Sequence, residues 1–351
     1  MKRYSGPFFT DEGFIQAQIE IEEGEVKEYK EGGDGGEDAI ILPTFYNSHA
    51  HLGDSVVKEP PTGTIEEIVG PGGLKEKALS SSTEEEKSES IARYLTESIS
   101  CGVRTLFDFR EGGLEGLEPL KRALDSVDLE GFSPVIMSRP SKKEFDAWEL
   151  NQILSIADGI GLSAYRDWDE AQIKKIADSV RGSGKPLAMH CSEDVREPVE
   201  EITDLGIHHL VHMIEATEED LQICSDEDIP IVVCPRANMF FGKTPDISKM
   251  LDYDLTLSLG TDNAMISNPN LFRELETAYR TARLKGEISP EEILNMATWN
   301  PRRSLKTSSI KEEKDSLMIL KYRNGDPAYN VVIDSSPQDI IEVVRWKNTK
   351  E

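Results

Sequence analysis

Ile15, Ala17, Ile19 and Ile21 alternate with Gln16, Gln18 and Glu20. An apolar residue at every second position is the pattern of a strand with one buried face. Glu23-Gly24 marks a turn, and residues 26–30 can return as a second strand. Gly32-Gly33-Asp34-Gly35-Gly36 then interrupts any regular element. At the other end, residues 317–322, 329–333 and 340–346 are β-branched runs separated by turn residues. Two β-rich ends around a different middle predict that the termini meet in one small β-sandwich, residues 1–40 with 308–351.

The middle, residues 41–307, alternates strand and helix. Buried-strand candidates end near His49, Phe109, Ser138, Ala164, His190, His212, Cys234 and Asp262. From Phe109 onward these ends are 22 to 29 residues apart, the spacing of repeated βα units. Helix starts stand between them. Thr83 and Glu86 form a capping box, Asp167 precedes the apolar series Ile173, Ile176, Ala177 and Val180, and Thr217 precedes three acidic residues. Asn268-Pro269 and Ser289-Pro290 place a cap before a first-turn proline. Eight strands with helices between them predict an α/β fold, a (β/α)8 TIM barrel. An open doubly wound sheet would call for a Gly-rich phosphate turn after the first strand, and none follows it. Residues 52–82, with Pro60-Pro61 and Gly70-Pro71-Gly72-Gly73, read as a long loop. Such loops are functional or mobile, and a lid is expected here.

The chain has 351 residues, 66 acidic against 39 basic, and a formal net charge of −27. That balance argues against nucleic acid or an anionic membrane as partner. No run of 18 apolar residues and no N-terminal apolar leader region occurs, so a cytoplasmic protein is expected. The four cysteines are too sparse for a disulfide framework and read as reduced thiols. A small-molecule substrate is the expected partner, with a homo-oligomer left open.

Histidine is the informative rarity: six residues fall in three clusters, each at a predicted strand end. His49 and His51 are two apart on one strand, so both can face the barrel axis. With His190 from across the barrel they can hold one cation, and neutral imidazole suits zinc or ferrous iron. Asp262, ending the eighth strand, would lie beside them, able to ligate and to take a proton from water.

The order His-x-His, His190, His212, Asp262 resembles the amidohydrolase superfamily. His190-Cys191-Ser192-Glu193 resembles the His-x-x-Glu of its mononuclear aminohydrolases, the cytosine, guanine and adenosine-type deaminases and chlorotriazine hydrolases. Cys234-Pro235-Arg236-Ala237-Asn238 is similar to that group's strand-seven Cys-Pro-x-Ser-Asn, with alanine for serine, and Gly260-Thr261-Asp262 to its strand-eight Gly-Thr-Asp. The resemblance implies one Zn2+ or Fe2+ on His49, His51, His190 and Asp262. It implies His212 beside the reacting water or as a further ligand, and Glu193 as proton shuttle. His208 and His209 fall outside the pattern and read as strand-entry residues, one of them packed. The superfamily's dinuclear branch uses a carboxylated lysine on strand four; residues 159–166 contain none.

Arg110, Arg139, Arg166 and Arg236 follow predicted strands two, three, four and seven. With Asn238 they are candidate substrate-binding residues, and a cationic rim would take an anionic substrate. Pairing with local carboxylates is the competing reading. The expected activity is hydrolytic deamination of an amino-substituted N-heterocycle. Opening of a cyclic amide or amidine, as in an imidazolonepropionase, is the alternative, and a non-catalytic metal-binding scaffold stands behind both.

Overall fold

A computed structural model describes residues 1–70, 72–305 and 316–346. Four strands open the chain: β1 (Lys2–Thr10), β2 (Gly13–Glu22), β3 (Glu25–Glu31) and β4 (Glu37–Pro43). Nine segments follow: β5 (Phe45–His51), β6 (Val103–Arg110), β7 (Ser133–Ser138), β8 (Gly159–Leu162), β9 (Leu187–Cys191), β10 (His209–His212), β11 (Ile231–Val233), β12 (Leu257–Leu259) and β13 (Asp262–Asn263). Two more, β14 (Ser316–Lys321) and β15 (Ile340–Arg345), close the described chain.

The nine middle segments form one sheet in the order β12-β11-β10-β9-β8-β7-β6-β5-β13, with parallel pairing throughout. Its two outermost segments are consecutive in the chain, separated only by Gly260 and Thr261. The sheet therefore curls until its last strand meets its first, the course of a TIM-like barrel. Strand parity sorts the core. Leu106, Met189 and Leu210 face the helices, while Phe107, Phe109, Ala188 and Val211 fill the barrel axis.

The termini do share one sheet, in the order β1-β2-β3-β15-β14-β4. It closes on itself, with β1 parallel to β4, so the expected sandwich is described as a small six-stranded barrel. Three local expectations change. The small sheet reaches beyond the boundary expected at residue 40: β4 runs to Pro43, and only Thr44 separates it from β5 of the large sheet. Residues 329–333 are helical: Asp326 caps Tyr329 N–H, Pro327 starts the turn, and Val331 and Val332 are buried against the large core. Asp169 and Asn270, not Asp167 and Asn268, cap their helices. The boundary expected at residues 307–308 and the proline at position 71 lie outside the described residues.

Residues 52–82 are also more ordered than a loop. They hold a 3-10 turn (Leu52–Val56) and two helices, α1 (Ile65–Val69) and α2 (Leu74–Ser81). Thr64 and Glu67 form a reciprocal capping box at the start of α1. Among the described residues no helix is long and apolar enough to cross a membrane.

Candidate metal centre and active site

β5, β9, β10 and β13 end at the same mouth of the barrel, and their polar side chains converge there. His49, His190, His212 and Asp262 each place a donor atom within 4.8 Å of the others. His49 Nε2 stands 3.2 Å from His190 Nε2 and 3.3 Å from Asp262 Oδ1. His51 Nε2 joins them at 3.1 Å from His190 Nε2 and 3.5 Å from Asp262 Oδ1. All five residues expected at the metal are brought together.

Backbone detail makes the convergence possible. A Cβ on Gly260 would stand 2.7 Å from the His49 Cβ and 2.8 Å from its carbonyl oxygen, so only glycine lets the eighth strand pass the first. Asn47 then grips Thr261 twice, donating to its Oγ1 at 2.7 Å and accepting from its N–H at 3.0 Å. Parity would turn His212 away from the axis, since its neighbour Val211 faces inward. A φ of 82° at His212 ends the strand and returns the ring to the mouth. Ser192 (49°), Met213 (56°) and Asp262 (58°) share this left-handed backbone. It costs roughly 1 kcal/mol or more per residue and gathers where function demands it.

The donor set fits a cation. Burial lowers the pKa of His49, His51 and His190, so their rings are neutral, the form that ligates. Neutral imidazoles turning lone pairs toward one another and toward a carboxylate repel unless a positive ion lies between them. Donors sharing a tetrahedral zinc at about 2.0–2.2 Å stand roughly 3.3 Å apart, close to the separations seen. On the outer side, His190 Nδ1 is 2.8 Å from the Leu162 carbonyl, while the buried Nδ1 atoms of His49 and His51 have no hydrogen-bond partner. Burial raises Asp262, but the His49 and His212 imidazoles outweigh it and hold this carboxyl below its usual range.

Glu193 reaches the same mouth, with Oε2 3.6 Å from His212 Nε2. Burial raises its carboxyl, with the His212 ring opposing and the Asp262 charge adding to the rise. A carboxyl shifted in this direction, beside the cluster, is placed for proton transfer. Asn238 is buried, and its amide lies 3.2 Å from His212 Nδ1, so it orients His212. Its Oδ1 is left without a partner. The opposite amide orientation lets Oδ1 accept from His212 Nδ1–H and frees Nε2 for the mouth. His209 is buried and packs beside Phe107 and Phe109, a core histidine as expected for one of the pair.

The arginines depart from a free cationic rim. Arg110 donates twice to Asp108 Oδ2, at 2.6 and 3.0 Å. Arg139 meets Glu111 at 2.8 Å. Arg236 binds the fully buried Glu274 through Nε at 2.5 Å and Asn268 through both terminal nitrogens. Arg166 is exposed on the turn after β8. Three guanidinium groups are thus committed to acceptors of this chain: Asp108 on the same strand as Arg110, Glu111 in the turn after it, and Glu274 on the helix Leu271–Arg283. Sequence reasoning missed Lys75 and Asp54, and read Glu111 only as a local partner for the arginines, which it is for Arg139. Lys75, on α2, is buried and sits 2.9 Å from Asp54 Oδ2 and 2.8 Å from Glu111 Oε1. Only a lysine inside the glycine- and proline-rich insertion hinted at this.

Barrels that gather neutral imidazoles and a carboxylate at the C-terminal mouth hold a cation to activate water, and the class is that of metal-dependent hydrolases. The amidohydrolase family model matches residues 40–344, and the chain belongs to this family. A protein of Archaeoglobus fulgidus, provisionally named an aminohydrolase, is 33% identical over 331 residues, 93% of this chain and 94% of its own. A 5-methylthioadenosine/S-adenosylhomocysteine deaminase of Caldanaerobacter subterraneus is 24% identical, covering 77% of this chain and 69% of its own. The crystal structure of an adenosine deaminase from Xanthomonas campestris with bound zinc has the same fold. Its TM-score is 0.77 at 13% identity, over 98% of this chain and 91% of the other. The chain is a metal-dependent hydrolase of non-peptide carbon–nitrogen bonds.

Proposed function

We propose that this enzyme removes an amino group from a nitrogen heterocycle by hydrolysis, with one divalent ion, zinc or ferrous iron, on His49, His51, His190 and Asp262. The observation that carries the reading is the placement of Glu193 and His212 at the same mouth as those donors, 3.6 Å apart. When bound, such an ion acts as a Lewis acid and lowers the pKa of a water from about 15.7 to near 7. Asp262 accepts the proton of the attacking water, and His212, steadied by Asn238, orients that water toward the ring carbon. Glu193, its carboxyl raised by burial, delivers its proton to a ring nitrogen; the proton taken by Asp262 passes to the departing amino group, and the hydroxyl proton lost as the carbonyl forms restores Glu193. A purely structural metal site needs neither a proton donor nor an orienting imidazole, which argues against the scaffold reading. An anionic substrate would suit the ring-opening alternative, and the carboxylates paired with Arg110, Arg139 and Arg236 favour the deaminase reading over it.

The test joins metal analysis of the purified protein to ammonia release from a panel of purines, pyrimidines and pterins. About one zinc or iron per chain with ammonia from one panel class is the expected result. No metal and no turnover across the panel would return the scaffold reading.

A further inference from the structure

An imidazole that ligates through one ring nitrogen carries its proton on the other, and that proton needs an acceptor. His190 has the Leu162 carbonyl at 2.8 Å, and His212 has the Asn238 amide at 3.2 Å. His49 and His51 lack such an acceptor: the buried Nδ1 of each has no hydrogen-bond partner. For His51, whose Nε2 faces the cluster, a carboxylate stands opposite the Nδ1. The carboxylate facing that Nδ1 is Glu111, with Oε1 at 3.8 Å, just beyond hydrogen-bond reach.

We propose that Glu111 is the positioning residue for His51: its carboxylate takes the Nδ1 proton's hydrogen bond once Nε2 holds a cation, and Lys75 sets where that carboxylate stands. The inference rests on His51 being a ligand, as read above. Glu111 is restrained from two sides, by Lys75 Nζ at 2.8 Å and Arg139 at 2.8 Å. Burial would raise its carboxyl, but these two cations pull it down to about 2, so it remains an anion. Lys75 is only 8% exposed, a placement lysine rarely adopts without a paired partner. It is supplied by α2, inside the insertion between β5 and β6. The insertion is thereby wired to the metal through Lys75, Glu111 and His51. Linkage makes the coupling reciprocal, so metal binding also steadies the insertion.

The experiment measures zinc affinity of the full chain by competition with a chromophoric chelator. Glu111→Ala is expected to weaken zinc by about 10–100-fold, the usual effect of losing a partner behind a ligand. Glu111→Gln, whose amide oxygen still accepts, recovers part of that loss, and Lys75→Met loses less in the same direction. In a His51→Ala background, Glu111→Ala adds nothing further. Unchanged zinc affinity in Glu111→Ala, or an equal loss with and without His51, overturns the proposal while leaving His51 as a ligand. Unchanged affinity in His51→Ala overturns both. If Glu111→Ala does not fold, Glu111→Gln and Lys75→Met carry the comparison, with melting of the metal-free proteins measured alongside. Lower metal-free stability with intact zinc affinity also overturns the proposal, since a merely structural role gives that result.

Discussion

Two buried polar clusters meet at His51, and they are built on opposite rules. On one side, His49, His51, His190 and Asp262 turn their donors toward each other, and two ring nitrogens lack partners behind them. On the other, Asp108 with Arg110, and Asp54 and Glu111 with Lys75 and Arg139, match each cation to a carboxylate. Buried polar groups are ordinarily satisfied, so the unsatisfied cluster is the one built for something added. The ion-paired cluster is framework, although Asp54 Oδ2, 2.9 Å from Lys75 Nζ, makes no hydrogen bond. Charge at an active-site rim therefore says little about substrate charge until its partners are known.

The largest effect should come from emptying the first cluster. Dialysis against a strong chelator is expected to abolish ammonia release, with zinc or ferrous iron restoring it. Melting should fall in parallel, because a ligand at about 100 times its Kd stabilises by about 2.7 kcal/mol. Full turnover without metal would break the comparison at its root. Next, Glu193→Gln should lower kcat by roughly 10²–10⁴-fold, the usual worth of a proton-transfer group, with metal content unchanged. Loss of metal instead would make Glu193 part of the framework.

The second cluster should respond in stability. Arg236 is its counterpart on the strand-seven side, and Arg236→Met strands the fully buried Glu274. A cost of about 3–5 kcal/mol in urea unfolding is expected, with KM unchanged. A raised KM at full stability would restore Arg236 as a substrate group. The smallest effect concerns acid. Glu111 is held near 2 against an ordinary value of 4.5, so its stabilising contribution is complete above about 4.5 and lost as pH falls toward 2. Glu111→Gln should flatten that acid limb by on the order of 1 kcal/mol after solvent screening. Identical acid unfolding curves would mean that Lys75 and Arg139 do not hold this carboxylate.

Legibility followed the range of the interaction. The strand ends from Phe109 to Cys234 lie within two residues of their expected places, because buried runs bounded by caps are local signals. Thr83, Thr217 and Ser289 were readable for the same reason, since each capping box spans four residues. Residues 329–333 misled because β-branched composition favours a strand, whereas Asp326-Pro327 and burial of Val331 and Val332 chose a helix. Lys75 was invisible: its partners lie 21 positions before it and 36 after it, on different elements.

The sequence by itself determined the βα alternation, the donor types and their order along the chain, since periodicity and residue chemistry are carried by neighbours. Tertiary structure alone decided which of those groups are satisfied. Asp262 reaches His49 because Gly260 lets two strands pass closely, and His212 faces the mouth because its backbone turns through a φ of 82°. Arg110, Arg139 and Arg236 are paired because folding brings Asp108, Glu111 and Glu274 within their reach.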